Sequence, residues 1–120
     1  MAFQYLLNNL LTDVPGAQGA IFLDPEGESV EHVSRRATPY ELKLEGAYHG
    51  IFLRQATRLA GLMRSGELER LSIGGTKMQV VSHALKGGYY VVLVMEPGAS
   101  LAIAGEVLAK SSEAFNREIP

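Results

Sequence analysis

The sequence predicts a layered α/β domain, with elements in the order helix, two strands, long helix, three strands and a closing helix. Three observations carry that expectation. Between Leu68 and Met95, apolar segments are separated by Gly74-Gly75 and Lys86-Gly87-Gly88, the punctuation of tight turns in an antiparallel meander. Tyr89 to Met95 is apolar at every position, as a central strand covered on both faces must be. Tyr40 to Met63 carries apolar residues at helical spacing over about six turns of 3.6 residues.

The elements follow in order. Phe3, Leu6, Leu7, Leu10 and Leu11 recur at helical spacing, so residues 2–12 are read as a short amphipathic helix. Val14-Pro15-Gly16 stops it, because proline disfavours helical geometry in the residue before it. Gln18 to Asp24 is read as a strand leading into Asp24-Pro25-Glu26-Gly27, the residue types of a type I turn. Ser29 to Ser34, with Val30 and Val33 among polar neighbours, is the second strand of that hairpin and edge-like. After the polar connector Arg35 to Pro39 comes the long helix, with Ser65-Gly66 as its terminator. Leu68 to Ile73, Lys77 to Ala84 and Tyr89 to Met95 form the meander. Pro97 to Ser100 then opens the last helix, with Ser100 as its N-cap. No linker, repeat or low-complexity tract divides the chain, so residues 1–120 are expected to form one domain.

Composition narrows the function classes. A 120-residue chain that is 47% hydrophobic and 20% charged has the make-up of a globular domain with one modest core. A net charge of −2 offers no basic footprint for nucleic acid or an anionic membrane. The absence of cysteine excludes disulfides, thiolate catalysis and zinc–thiolate sites. No apolar run reaches the roughly 20 residues that span a bilayer, and the N-terminus lacks the basic start of a signal peptide. A cytoplasmic protein without membrane insertion is expected.

Catalytic patterns are missing. His32, His49 and His83 fall on a strand, a helix and a strand, without ligand spacing, and are read as solvated or hydrogen-bonded rather than metal-binding. Asp24, Glu26 and Glu28 lack the ligand count of a calcium loop and are read as solvated turn carboxylates. Gly74-Gly75-Thr76-Lys77 links two strands, whereas a phosphate loop must open a helix. No serine sits in a nucleophile elbow. Neither an enzyme nor a bound cofactor is expected.

What the sequence has in excess is apolar helix surface. At about 100° per residue, Tyr48, Phe52, Ala56, Leu59 and Met63 fall along one line of the long helix, and Leu44, Ile51 and Leu62 along another roughly 80° away. One sheet face can cover one of these lines easily and both only partly. Gly46, Gly50, Thr57 and Gly61 form a row of small residues that would admit another backbone closely. If the strand ending at Ile73 lies at a sheet edge, its unpaired peptide groups can accept a further strand. Across an antiparallel two-fold, Glu69 and Arg70 would then meet opposite charges from the second copy.

Gly19-Ala20-Ile21-Phe22-Leu23-Asp24-Pro25-Glu26-Gly27-Glu28-Ser29-Val30, Leu71-Ser72-Ile73-Gly74 and Gly88-Tyr89-Tyr90-Val91-Val92-Leu93-Val94, with the Pro97-Gly98-Ala99-Ser100-Leu101 step, resemble the roadblock domain family of dynein light chain roadblock and bacterial MglB. The resemblance covers nearly the whole chain. It implies a five-stranded antiparallel sheet with the long helix on one face and the two terminal helices on the other, a roadblock/profilin-like layering. It also implies a non-enzymatic homodimer, joined through the long helix and the third strand, that scaffolds or regulates a small Ras-like GTPase, possible activation included. The interface residues expected for the second copy or the GTPase are Leu44, Tyr48, Ile51, Phe52 and Leu59 on the helix, and Leu68, Glu69, Arg70, Leu71, Ser72 and Ile73 on the strand. No arginine finger follows from the resemblance, and Arg54, Arg58 and Arg64 are read as solvated. The alternative is a small-molecule sensor of profilin-like or PAS-like architecture, which would need a closed pocket between helices and sheet.

Overall fold

The all-apolar segment lies where its composition demands. In a computed structural model that describes residues 2–35, 39–64 and 66–120, and their side chains except those of 39–48, Tyr90–Met95 is the middle strand of a five-stranded sheet with every residue buried. The elements are α1 (Ala2–Asp13), β1 (Ala17–Leu23), β2 (Ser29–Ser34), α2 (Pro39–Leu62), β3 (Arg70–Gly74), β4 (Gln79–Ala84), β5 (Tyr90–Met95) and α3 (Leu101–Glu118), with a short 3-10 turn at Lys86–Gly88. The sheet order is β2-β1-β5-β4-β3, every pair antiparallel. Val92 sits opposite Ile21 on one side and Ser82 on the other.

Strand residues alternate between two cores, as the two-residue period of a strand requires. Ala20, Phe22, Val81, Val91, Leu93 and Met95 face α1 and α3, where Leu7, Leu10, Leu11, Ala104, Leu108 and Phe115 complete the larger core. At its centre Phe22 stacks on Phe3 at 4.2 Å, Tyr89 at 5.5 Å and Phe115 at 5.7 Å between ring centroids. Ile21, Leu23, Val80, Tyr90, Val92 and Val94 face the other way and pack with Leu53 of α2. Each fully buried side chain of this size contributes about 1.5–3 kcal/mol.

Turns and caps follow their residue types. Asp24 Oδ1 accepts the backbone N–H groups of Glu26 and Glu28 at 2.9 Å, while Gly27 takes the positive φ of 86° that the turn needs. Ser100 caps α3 by accepting the Ile103 N–H at 3.1 Å. Between β5 and α3, the carbonyls of Glu96, Pro97 and Ala99 all accept from Gln79 Nε2, at 3.1, 2.8 and 2.9 Å.

The expected element order and layering hold, with small shifts at the ends. Tyr89 stands outside β5, turned to stack on Phe22. Lys77 and Met78 belong to the β3–β4 turn, where Gly75 N–H donates to Met78 O. Leu68 and Glu69 precede β3, although Glu69 O accepts the Ala84 N–H and prolongs the ladder by one bond. Residues 36–38 of the expected connector and Ser65 of the expected helix terminator lie outside the described residues.

Two substitutions test this packing. A methyl group at Gly50 of α2 would overlap the Tyr90 hydroxyl, with the ring Cζ only 2.8 Å away. Gly50→Ala is therefore expected to destabilise the fold by about 1–3 kcal/mol, despite alanine's better helix propensity. Gln79→Leu, which leaves three carbonyls without their donor, should cost about 1–3 kcal/mol. Urea melts of both variants give the values, and an unchanged midpoint would contradict the corresponding contact.

Candidate functional site

The outward side of α2 is the chemical feature the fold leaves uncovered. At about 100° per residue, His49 and Leu53 point into the sheet, and Ala56 and Ala60 beside them are half-buried. Gly50, Arg54, Thr57 and Gly61 form the next line round the helix. Ile51, Phe52, Leu59, Leu62 and Met63 lie on the far side, between 44% and 76% exposed. Among the described side chains of the two apolar lines expected to compete for the sheet, only Ala56 is partly covered: Phe52, Leu59 and Met63 of one line and Ile51 and Leu62 of the other are exposed. At Gly50, on the line beside the sheet-facing one, the missing side chain lets the Tyr90 hydroxyl rest against the helix.

Of the expected interface residues, Ile51, Phe52 and Leu59 share this exposed side. Leu44 and Tyr48 lie on the same helix, with side chains outside the described residues. The strand residues divide. Among the described residues β3 is a sheet edge, with β4 on one side and no strand on the other. Ile73 is 43% exposed, and Glu69 and Ser72 are exposed. Leu68 and Leu71 are partly buried against the α2-side core. Arg70 Nη1 donates to Gly105 O at 3.2 Å, so its side chain ties the edge strand to α3. Leu62, Met63 and Met78 join the exposed apolar set, although only Ile73 of the β3–β4 hairpin was anticipated there; the first two could have been found from the helical lines they occupy.

Two of the three histidines depart from expectation. His49 and His83 are 3% and 7% exposed, and among the described residues both nitrogens of His49 and Nδ1 of His83 have no hydrogen-bond partner. Burial pushes both imidazoles below their ordinary value; for His83 the nearby Arg70 adds to the depression and Glu69 opposes it. Burial likewise pushes the Tyr90 phenol up, with Arg54 working against the shift and Asp24 with it. Among the described residues no group of three or more His, Asp or Glu side chains could hold a metal ion. No described helix is long and apolar enough to cross a membrane.

The backbone arrangement has close counterparts among solved structures. A Roadblock/LC7 domain from Streptomyces avermitilis superposes with a TM-score of 0.81, at 16% identity over 94% of this chain and 93% of its own. The fold is that of the roadblock domain. The gliding protein MglB from Thermus thermophilus matches with a TM-score of 0.84, at 19% identity over 97% of this chain and 87% of its own. An MglB with a tetrameric arrangement matches with a TM-score of 0.83, at 19% identity over 97% and 85%. No protein-family model and no curated protein matches the sequence. At these identities the roadblock likeness speaks for the fold alone.

The buried histidines make stability depend on pH in a defined direction. A histidine whose folded value lies below its ordinary 6.5 binds protons more readily when unfolded. Stability should therefore be level above that value, fall as pH drops below it, and level off again beneath the folded values. Thermal melts between about pH 8 and pH 5 test this, the imidazoles being the groups that titrate in that range. His49→Leu should flatten part of the decline and His49→Leu with His83→Leu more of it; an identical decline in the double variant would contradict the assignment.

Proposed function

We propose that this roadblock-fold protein is a non-enzymatic cytoplasmic regulator or scaffold that acts as a homodimer on a small Ras-like GTPase. The observation that carries the reading is the orientation of α2, which turns Ile51, Phe52, Leu59, Leu62 and Met63 away from its own sheet. Large apolar side chains grouped on one side of a helix are the usual mark of a protein interface. The open edge of β3 adds a second surface that another copy can meet by strand pairing. The roadblock fold supports self-association, since one MglB of that fold adopts a tetrameric arrangement. The GTPase as partner rests on the resemblance of the sequence to the roadblock family, and any nucleotide chemistry would be the partner's.

On this reading Leu44, Tyr48, Ile51, Phe52 and Leu59 contact a second copy or the GTPase through the helix. Leu68, Glu69, Arg70, Leu71, Ser72 and Ile73 contribute through the edge, Leu68 and Leu71 chiefly by supporting it from within.

Sedimentation at micromolar concentration should give about 26 kDa, twice the 13.0 kDa of one chain. Phe52→Glu with Leu59→Glu should shift the protein to monomer, or weaken GTPase binding at least about tenfold, while keeping the circular dichroism of the parent. A strict monomer would contradict the dimer. A cognate GTPase whose affinity, turnover and nucleotide exchange ignore this protein would contradict the regulatory role.

A further inference from the structure

A second feature of α2 lies away from its exposed apolar side and does not depend on what binds there. Between the helix and the end of the sheet where β4 turns into β5, the molecule leaves a half-open cleft of about 770 Å³. Protein interiors normally close such space, and this volume falls within the roughly 300–1,000 Å³ of small-molecule sites. Leu53, Leu68, Leu85 and Tyr90 supply apolar wall. We propose that this cleft binds a small organic anion with an apolar body, its charged group held by Arg54.

The helix is shaped for the cleft by its sequence. Gly50, Arg54, Thr57 and Gly61 follow one another at spacings of four, three and four residues, so one helical line faces the opening. A large apolar residue in place of Thr57 or Gly61 would fill it. At Gly50 the space is already taken by the Tyr90 hydroxyl, which fixes the depth of the floor. At Gly61 a Cβ would meet nothing within 4 Å, so the cleft stays open toward that end. Among the described residues no packing contact accounts for a glycine at that position.

Charge selects the class of ligand. Among the described residues three charged ones line the cleft: Arg54, Lys86 and Glu67. Lys86 is committed elsewhere, its Nζ donating to Ile119 O at 2.9 Å. Glu67 lies beyond the helix next to Leu68, so an apolar body against Leu68 leaves that carboxylate in solvent. Arg54 is the cation at the Tyr90 end. Its only described bond runs from Nη1 to Pro25 O at 3.4 Å, which leaves most of its five donors available. A guanidinium in that position pairs with a carboxylate, sulfonate or phosphate oxygen, while the apolar remainder packs along Leu53 and Leu68.

Anilinonaphthalene sulfonate has this chemistry, a flat apolar body with one anionic group, and its fluorescence rises when it leaves water. Titrated into the full chain, it should bind saturably with one equivalent per chain. Gly61→Leu should fill the cleft and weaken binding at least about tenfold. Thr57→Leu, on the same line, is a second filler should the first disturb folding. Arg54→Gln should weaken the sulfonate dye about fivefold or more but leave the neutral dye Nile red unaffected. Phe52→Ser, on the outer side of the helix, should change neither. Non-saturable binding would overturn the site, as would dye binding that both fillers spare. So would loss of binding in Phe52→Ser, which would place the dye on the exposed apolar side, and equal losses of both dyes in Arg54→Gln would overturn the anionic class.

Discussion

The structure depends on one constraint: β5 is apolar on both of its faces and must be covered on both. Every residue from Tyr90 to Met95 is buried, and the strand pairs with β1 on one side and β4 on the other. A strand of that kind cannot sit at an edge or face water, so two layers have to be built around it. The α1/α3 layer does so generously, with the stacked rings of Phe3, Phe22, Tyr89 and Phe115 at its centre. The other layer has a single helix, and among its described side chains Leu53 is the one that joins the sheet's apolar cluster. The two faces of one sheet are therefore covered unequally, and the uneven face is where chemistry is left over.

That inequality produces both surfaces discussed above. His49 and Leu53 of α2 meet the sheet, Gly50, Thr57 and Gly61 border the cleft on one flank, and the large apolar residues lie outside. One glycine contact, Gly50 against Tyr90, sets how closely α2 approaches β5.

Much of the fold could be read from residue types because local chemistry decides it. The Asp24 turn, the Ser100 cap, the glycine turns of the meander and the doubly apolar β5 each follow from their own few residues. The rotation of α2 could not be read in that way. Apolar periodicity suggested that the line of Phe52 and Leu59 or that of Ile51 and Leu62 would meet the sheet, whereas His49 and Leu53 do. The row of glycines carried the relevant signal, yet close approach to a tyrosine on a distant strand is a tertiary fact. The histidines failed for a similar reason. His49 and His83 have polar side chains at positions that long-range packing buries, and nothing in their immediate neighbours announces it. The β3 edge was anticipated, but the division of its residues between core support and open surface depends on register with β4.

The side-chain amide of Gln79 has a mechanical consequence. By holding three carbonyls along the path between β5 and α3, it makes that corner a brace rather than a joint. Arg70 braces the same helix from the edge strand. A displacement at the rim of the sheet would thus be felt in α3 through these bonds. A partner that pairs with β3 would pull on the far layer of the molecule as well as on the strand it touches.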